Sequence, residues 1–129
     1  MRLLIVGEGK RAESLAQALP AYGIAVERQA APPIPGTSGG EVARIATAMR
    51  GFEELLDEGP DAVLLASCSN LALAALLVAT KAGIPVASVE NDAEAREGSR
   101  KLNRRLIRQL SDATLAADAA AVAAWLHAV

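Results

Sequence analysis

The segment from Pro60 to Val89 decides the fold, and it reads PDAVLLASCSNLALAALLVATKAGIPVASV. It begins with an unbroken apolar run, Ala62 to Ala66, that has the length of a buried strand. A longer apolar stretch, Leu71 to Ala82, has helix length and ends at Gly83, a residue that commonly closes helices. A second short run, Val86 to Val89, follows. The order strand, helix, strand predicts a βαβ unit with two parallel strands.

The same alternation continues on both sides of this segment. Towards the N-terminus, Leu3 to Val6 and Ile24 to Glu27 have strand length. Towards the C-terminus, Ala113 to Ala116 is a weaker fifth strand. The remaining helices are marked by apolar residues at helical spacing: Ala12, Leu15, Ala16, Leu19 and Tyr22; Val42, Ile45, Ala46, Met49, Phe52 and Leu56; Leu102, Leu106 and Leu110; and Val122, Trp125, Leu126 and Val129.

Strands and helices in alternation predict an α/β fold. We expect an open, doubly wound, parallel five-stranded sheet of the flavodoxin or Rossmann type, with strand order 2-1-3-4-5 and helices on both faces. The length of 129 residues fits a single domain, so we predict one domain over residues 1–129. The stretch 29–40 is a predicted loop because it holds three prolines and three glycines. Ser38 lies three residues before Glu41, which predicts a capping box at the start of the second helix.

Composition and charge exclude several classes of partner. The net charge of −2 gives no general attraction to nucleic acid or to an acidic membrane. The apolar stretch Leu71 to Ala79 is shorter than the roughly 20 residues of a membrane span, and the N-terminal apolar run is too short for a signal peptide. Cys68 is the only cysteine, which suits a reducing compartment. We therefore predict a cytoplasmic protein with no nucleic acid or membrane partner.

The predicted ligand site lies at one edge of the sheet. Open parallel sheets bind ligands beyond the carboxyl ends of their strands, where the strand order reverses, here between the first and third strands. Hydroxyls, and amides at helix N-termini, in this position can bind a phosphate or a sugar hydroxyl. The predicted ligand-binding residues are Gly7, Gly9, Lys10, Arg11, Ser38, Ser67, Cys68, Ser69, Asn70, Asn91 and Arg104.

The first turn also fits a loose dinucleotide-binding pattern. Gly7 and Gly9 are followed by Ala12 in the spacing G-x-G-x-x-A, and Glu27 lies at the distance expected for a ribose ligand. The large side chains of residues 10 and 11 argue against this interpretation, and a plain strand-to-helix turn explains the same glycines. We predict no cofactor.

Three further features leave alternatives open. Cys68 is either a nucleophile or a buried, inert thiol at a capped helix start, and no base accompanies it, since His127 is far along the chain. Glu90, beside Asn91 and Asp92, is either a general base or a solvated loop residue. No His or Cys cluster supports these carboxylates, so no metal site is predicted.

A basic segment is either a solvated helix face or a phosphate-binding edge; its members are Arg96, Arg100, Lys101, Arg104, Arg105 and Arg108.

Four segments occur in an order that resembles a known family. They are Pro60 to Leu65, Gly83 to Glu90, Asn103 to Leu106 and Leu110 to Asp112, with a looser match at the turn from Gly7 to Glu13. Together they look like the N-terminal domain of the UDP-N-acetylglucosamine 2-epimerases, isomerases of the two-domain glycosyltransferase-B architecture. The resemblance is clearest between residues 60 and 118. It implies a nucleotide-sugar ligand and gives Glu90 a catalytic role.

The departures from the family pattern are equally informative. The family has His-Gly-Asp after its third strand, where this chain has Ala66-Ser67-Cys68. The family's second glutamate lies just before its Asn-Arg pair, where this chain has Arg100-Lys101-Leu102. The family's C-terminal domain, with most UDP contacts, has no counterpart in these 129 residues. The resemblance thus implies an epimerase-like domain that binds a UDP-sugar or phosphate ligand and is not catalytically competent alone.

The state of assembly and three alternative functions stay open. The apolar third helix suggests a homo-oligomer or a partner chain, because a helix that is apolar nearly all round must be buried. One alternative is a stand-alone small-molecule-binding or regulatory module without catalysis. A second is one half of a split two-chain enzyme. A third is a small enzyme that uses Cys68 or Glu90 on an unrelated substrate.

Overall fold

The computed structural model describes residues 1–34, 39–89 and 98–129. Within these ranges the strands are β1 (Arg2–Val6), β2 (Ala25–Gln29), β3 (Ala62–Leu65), β4 (Val86–Val89) and β5 (Ala113–Leu115). The helices are α1 (Lys10–Ala18), α2 (Glu41–Leu55), α3 (Asn70–Ala82), α4 (Gly98–Leu110) and α5 (Ala119–Ala128), with a 3-10 turn at Leu19–Tyr22 after α1.

The strands form one open parallel sheet in the order β2-β1-β3-β4-β5. The predicted fold class and strand order are confirmed. β3 lies at the centre with all four residues buried, because helices cover both faces of the sheet there. The order reverses between β1 and β3, so the point of reversal falls where the sequence predicted it.

Side chains alternate between the two faces of each strand and build two separate cores. Leu4 and Val63 point to the face covered by α2, α3 and α4, whereas Leu3 and Leu64 point to the face covered by α1 and α5. Alanines on the buried surfaces of the helices let them approach the sheet closely. In the described ranges, no helix is long and apolar enough to cross a bilayer.

Helix α3 owes its apolar composition to its central position. It packs between α2 and α4 and against the sheet, and seven of its residues are buried. The chain itself therefore covers the surface that suggested an oligomer or a partner chain. The prediction of a partner loses this support and is left untested by the structure.

The end of the predicted first helix and the start of the predicted second helix need correction. The first helix was expected to continue to Tyr22, but α1 stops at Ala18, because Pro20 lacks an amide hydrogen and a 3-10 turn takes over. The capping-box prediction is wrong: Gly40 is the N-cap of α2 and no side chain caps it. Gly39 has a φ of 109°, which breaks the helix before it could extend back to Ser38. Ser38 itself lies outside the described residues.

The predicted apolar stripes are also partly in error. Tyr22 and Val129, at the ends of the first and last stripes, are exposed, and the stripes of α2 and α4 need larger corrections. Val42 in α2 is 81% exposed, and the buried surface of that helix begins one turn later with Ile45 and Ala48. In α4, Leu102 and Leu110 are exposed, and the buried positions are instead Asn103 and Ile107, with Leu106 partly buried. The inward surface of α4 is thus turned by one residue, because Asn103 forms hydrogen bonds that require it to be inside.

The loop after β2 folds back onto α2 at Gly51. A Cβ atom at Gly51 would lie 2.7 Å from the Cβ of Pro33 and 3.1 Å from Cγ1 of Ile34. Glycine inside a helix costs about 0.5–1 kcal/mol relative to alanine. Here that cost is offset by the close packing of the loop, which only a residue without a side chain permits.

Candidate functional site

The turns after β1 and β3 touch each other at the carboxyl edge of the sheet. Gly7 has a φ of 126°, and a Cβ atom placed on it would lie 3.0 Å from Oγ of Ser67 and 3.3 Å from its amide nitrogen. The amide of Gly7 donates to the carbonyl of Gln29 at 3.0 Å. The carbonyl of Gly7 accepts from Arg28 at 3.4 Å. Gly7 therefore serves the close approach of the two turns and has no amide left to bind a phosphate.

Ser67 and Ser69 form a pair of hydroxyls at the start of α3. Their Oγ atoms lie 3.0 Å apart, and Oγ of Ser69 accepts from the amide of Ala72 at 3.2 Å, which makes Ser69 the N-cap of the helix. Two hydroxyls carry two protons, and the bond between them uses only one. The other proton can be donated to a ligand.

These hydroxyls line a hollow at the point where the strand order reverses. The switch-point hollow, as we name it, has a volume of about 370 Å³ and is lined by Glu8, Gly9, Ser67, Ser69 and Arg100. This volume falls within the range of roughly 300–1,000 Å³ that is typical of small-molecule sites. Gly9 is the N-cap of α1 and no side chain caps that helix, so the positive end of its dipole lies at the hollow. The hollow combines hydroxyls, a helix N-terminus and a guanidinium group, all of which can bind an anion.

Arg100 lines the hollow but was not among the predicted ligand-binding residues; it was named only in the basic segment, where a phosphate-binding edge was one of two open alternatives. The sequence places it in a run of basic residues, where a solvated helix face is the ordinary expectation. In the structure it occupies the first turn of α4, which begins at the carboxyl edge of the sheet. The available signal was positional, since the first turn of a helix that follows a strand lies at that edge.

The structure separates the other predicted ligand residues. Lys10 and Arg11 line a different hollow, between α1 and the start of α5 at Asp118. Cys68 is buried, and together with Arg104 it lines a narrow crevice beneath α4. The remaining predicted residues, Ser38, Asn91 and the proposed catalytic Glu90, lie outside the described residues.

Asn70 and Asn103 hold the edge of the site together. Nδ2 of Asn103 donates to the carbonyl of Cys68 at 3.1 Å and to Oδ1 of Asn70 at 2.8 Å. Nδ2 of Asn70 in turn donates to Oε1 of Glu41 at 3.0 Å. This chain of bonds joins α4, α3 and α2. Both polar atoms of the Asn70 side chain take part, so we infer that Asn70 positions the turn before α3.

Replacing Asn103 by alanine is expected to lower the free energy of unfolding by about 1–3 kcal/mol, because buried acceptors lose their donor. Urea unfolding followed by circular dichroism measures the change. Gln109→Ala on the exposed side of the same helix is the control and should stay within about 0.5 kcal/mol of the parent. Equal effects of the two substitutions would contradict the structural role of Asn103.

The dinucleotide interpretation finds no support in the position of Glu27. Its carboxylate pairs with Arg2 at 3.0 Å. The guanidinium of Arg2 also donates to the carbonyl of Glu58, in the loop before β3, at 3.4 Å. The carboxylate is thereby directed away from the turn at Gly9. Among the described residues, no group of three His, Cys, Asp or Glu side chains is arranged to hold a metal ion.

Comparison with solved structures places this fold beside the UDP-N-acetylglucosamine 2-epimerases. The enzyme from Methanocaldococcus jannaschii matches over 90% of this chain and 39% of its own, with 24% identity and a TM-score of 0.75. Its complex with UDP-GlcNAc and UDP matches over 100% and 44%, with 21% identity and a TM-score of 0.75. The enzyme from Neisseria meningitidis bound to UDP-GlcNAc matches over 90% and 40%, with 21% identity and a TM-score of 0.64.

These matches confirm the resemblance at the level of the fold. The chain has the Rossmann-like fold of a part of these enzymes and spans about two fifths of their length. No protein-family model matches the sequence, and no curated protein matches it significantly.

Proposed function

We propose that this chain binds a nucleotide sugar of the UDP-N-acetylglucosamine type, or another phosphate-bearing ligand, in the switch-point hollow, and that it does not catalyse epimerisation alone. The observation that carries the proposal is the hollow itself. It lies where the strand order reverses, the place at which open α/β sheets bind ligands. Two structural neighbours were solved with UDP-GlcNAc, which supports this ligand class.

The groups around the hollow suit a phosphate. Arg100 supplies a charged donor, and the pair of Ser67 and Ser69 supplies a hydroxyl donor. The uncapped start of α1 at Gly9 supplies backbone amides and the positive end of a helix dipole. Glu8, the one carboxylate among the described lining residues, would repel a phosphate and can instead accept from sugar hydroxyls.

Catalysis by the chain alone is not part of the proposal. Epimerisation at C2 of the sugar requires several positioned acids and bases. After β3, where the family has an aspartate, the described residues are Ala66, Ser67 and Cys68. Glu90 would have to act with groups from elsewhere, so the reaction calls for a partner chain or a second domain.

The domain organisation, the location and the state of assembly complete the proposal. Residues 1–129 form a single domain, as the length and the two cores on one sheet suggest. The single buried cysteine suits a reducing, cytoplasmic location. We also propose that the chain assembles as a homo-oligomer or with a partner chain, and a partner chain would supply the missing catalytic groups.

Arg100→Gln is expected to weaken UDP binding about ten- to a hundredfold, because a hydrogen bond from a charged donor contributes about 1.5–3 kcal/mol. Thermal shift with increasing UDP, UDP-GlcNAc and inorganic phosphate measures the affinities. Arg105→Gln removes the same charge from the same helix but is not at the switch-point hollow, so it should leave binding nearly unchanged.

Two outcomes would count against the proposal. If none of these compounds raises the Tm of the parent protein at saturating concentration, the chain does not bind this ligand class. If the isolated chain converts UDP-GlcNAc, as followed by NMR of the sugar, the proposal that it is incompetent alone is wrong.

A further inference from the structure

Ser88 is a buried hydroxyl whose bonding is incomplete. It lies on β4 with 4% of its surface exposed, and within the described part of the chain its Oγ atom has no hydrogen-bond partner. Native proteins leave few buried polar groups unpaired, and those that remain usually bind an ordered water or ion. The position of Ser88 therefore calls for an occupant beside it.

The space beside Ser88 is a crevice beneath α4 of about 20 Å³. Ser88 pairs in register with Thr114 on β5, so both hydroxyls lie on the same face of the sheet. Arg104 and Arg108, one turn apart on α4, line the opposite wall. A volume of about 10–15 Å³ holds one water-sized sphere, so the enclosed part of this crevice, beside Ser88, has room for a single atom or ion. Thr114 and Arg108 are exposed and form its mouth.

The charge of α4 favours a negative occupant. Residues 98–110 carry five basic side chains and no acidic one; they are Arg100, Lys101, Arg104, Arg105 and Arg108. Guanidinium groups only donate hydrogen bonds, and hydroxyls can donate one. The crevice thus presents donors from both walls in a positive field.

We propose that this crevice binds one monatomic anion of the chloride class between the hydroxyls of Ser88 and Thr114 and the guanidinium groups of Arg104 and Arg108. The anion completes the bonding of Ser88 and ties α4 to β4 and β5. This inference does not depend on the proposed function, because the crevice and the switch-point hollow have only Ser67 in common among their described lining residues.

The solution test compares chloride with gluconate, an anion too large for the crevice, at constant ionic strength. The Tm of the parent protein is expected to rise with chloride by on the order of a few degrees, since the anion binds only the folded state. Ser88→Ala should lose this chloride-specific rise. In gluconate it should match or exceed the stability of the parent, because it removes an unpaired buried hydroxyl. Ser14→Ala, an exposed serine on α1, is the control that keeps the rise.

The crystallographic test replaces chloride by bromide and locates the ion by its anomalous scattering. The expected result is a bromide peak within hydrogen-bonding distance of Oγ of Ser88 that is missing in Ser88→Ala crystals. Water density without a bromide peak overturns the proposal. It is equally overturned if the parent has the same Tm in chloride and gluconate, or if Ser88→Ala keeps the full chloride-specific rise.

Discussion

Replacing Phe52 by alanine is expected to lower the free energy of unfolding by about 3–5 kcal/mol, the range found for removal of a buried phenyl ring. Phe52 is the only phenylalanine and is 0% exposed. It lies in α2 and belongs to the core that includes Leu4 and Val63 of the sheet and Leu76 of α3. Because the surrounding side chains are small, few neighbours are long enough to fill the space that the ring leaves.

Urea unfolding measures this loss, which is a large part of the roughly 5–15 kcal/mol that stabilises a typical domain. Tyr22→Ala is the matched control, because it also removes an aromatic ring but from an exposed position. It should change the stability by no more than about 0.5 kcal/mol. A loss below about 1 kcal/mol for Phe52→Ala would mean that α2 does not pack on the sheet as described.

Gly7→Ala is the second substitution with a large expected effect. Its φ of 126° lies where L-residues are strained, at a cost of about 1–3 kcal/mol. The new methyl group would also meet Ser67, 3.0 Å from Oγ and 3.3 Å from the amide nitrogen. The second contact is with backbone, so the whole turn after β3 must shift, which adds about 1–3 kcal/mol.

Gly9→Ala separates the two causes. Gly9 also has a positive φ, 108°, but a Cβ atom there has no neighbour within 4 Å. It should therefore show the strain alone, and the difference between the variants, about 1–3 kcal/mol, measures the contact with Ser67. Equal losses in the two variants would show that the turns after β1 and β3 do not touch.

The predicted fold rests on features that are local in the chain. The run from Pro60 to Val89 specifies two parallel strands and the helix between them by hydrophobic length and by Gly83, and the structure places them as expected. Crossover handedness then leaves few ways to arrange five strands. It was harder to predict which residues of α2 and α4 are buried. In those helices apolar residues spread over a wider part of the helix surface than the part that packs against the core.

For the proposed site, the sequence predicted the place of the hollow but not all of the residues that line it. The carboxyl ends of β1 and β3 follow from topology, and Gly9, Ser67 and Ser69 do lie at one hollow there. Which side chains enter that hollow depends on helix rotation: α1 directs Lys10 and Arg11 towards α5, and α4 brings in Arg100. A periodicity argument over three or four turns predicts which side of a helix faces the core, but not which single side chains at the start of the helix reach a hollow at the edge of the sheet.

By itself, then, the sequence determined the α/β class, the strand order, the central place of Ala62 to Leu65 and the point where the strand order reverses. These follow from apolar run length, helix-closing residues and crossover rules, which act between neighbours in the chain. Only the tertiary structure decided that no side chain fits at Gly7 against Ser67, that Asn103 and Asn70 together link α4, α3 and α2, and that Ser88 has no hydrogen-bond partner among the described residues. The first two facts arise from contacts between residues 29 to 60 positions apart, and the third arises from the packing of α4 over β4 and β5. No local pattern encodes them.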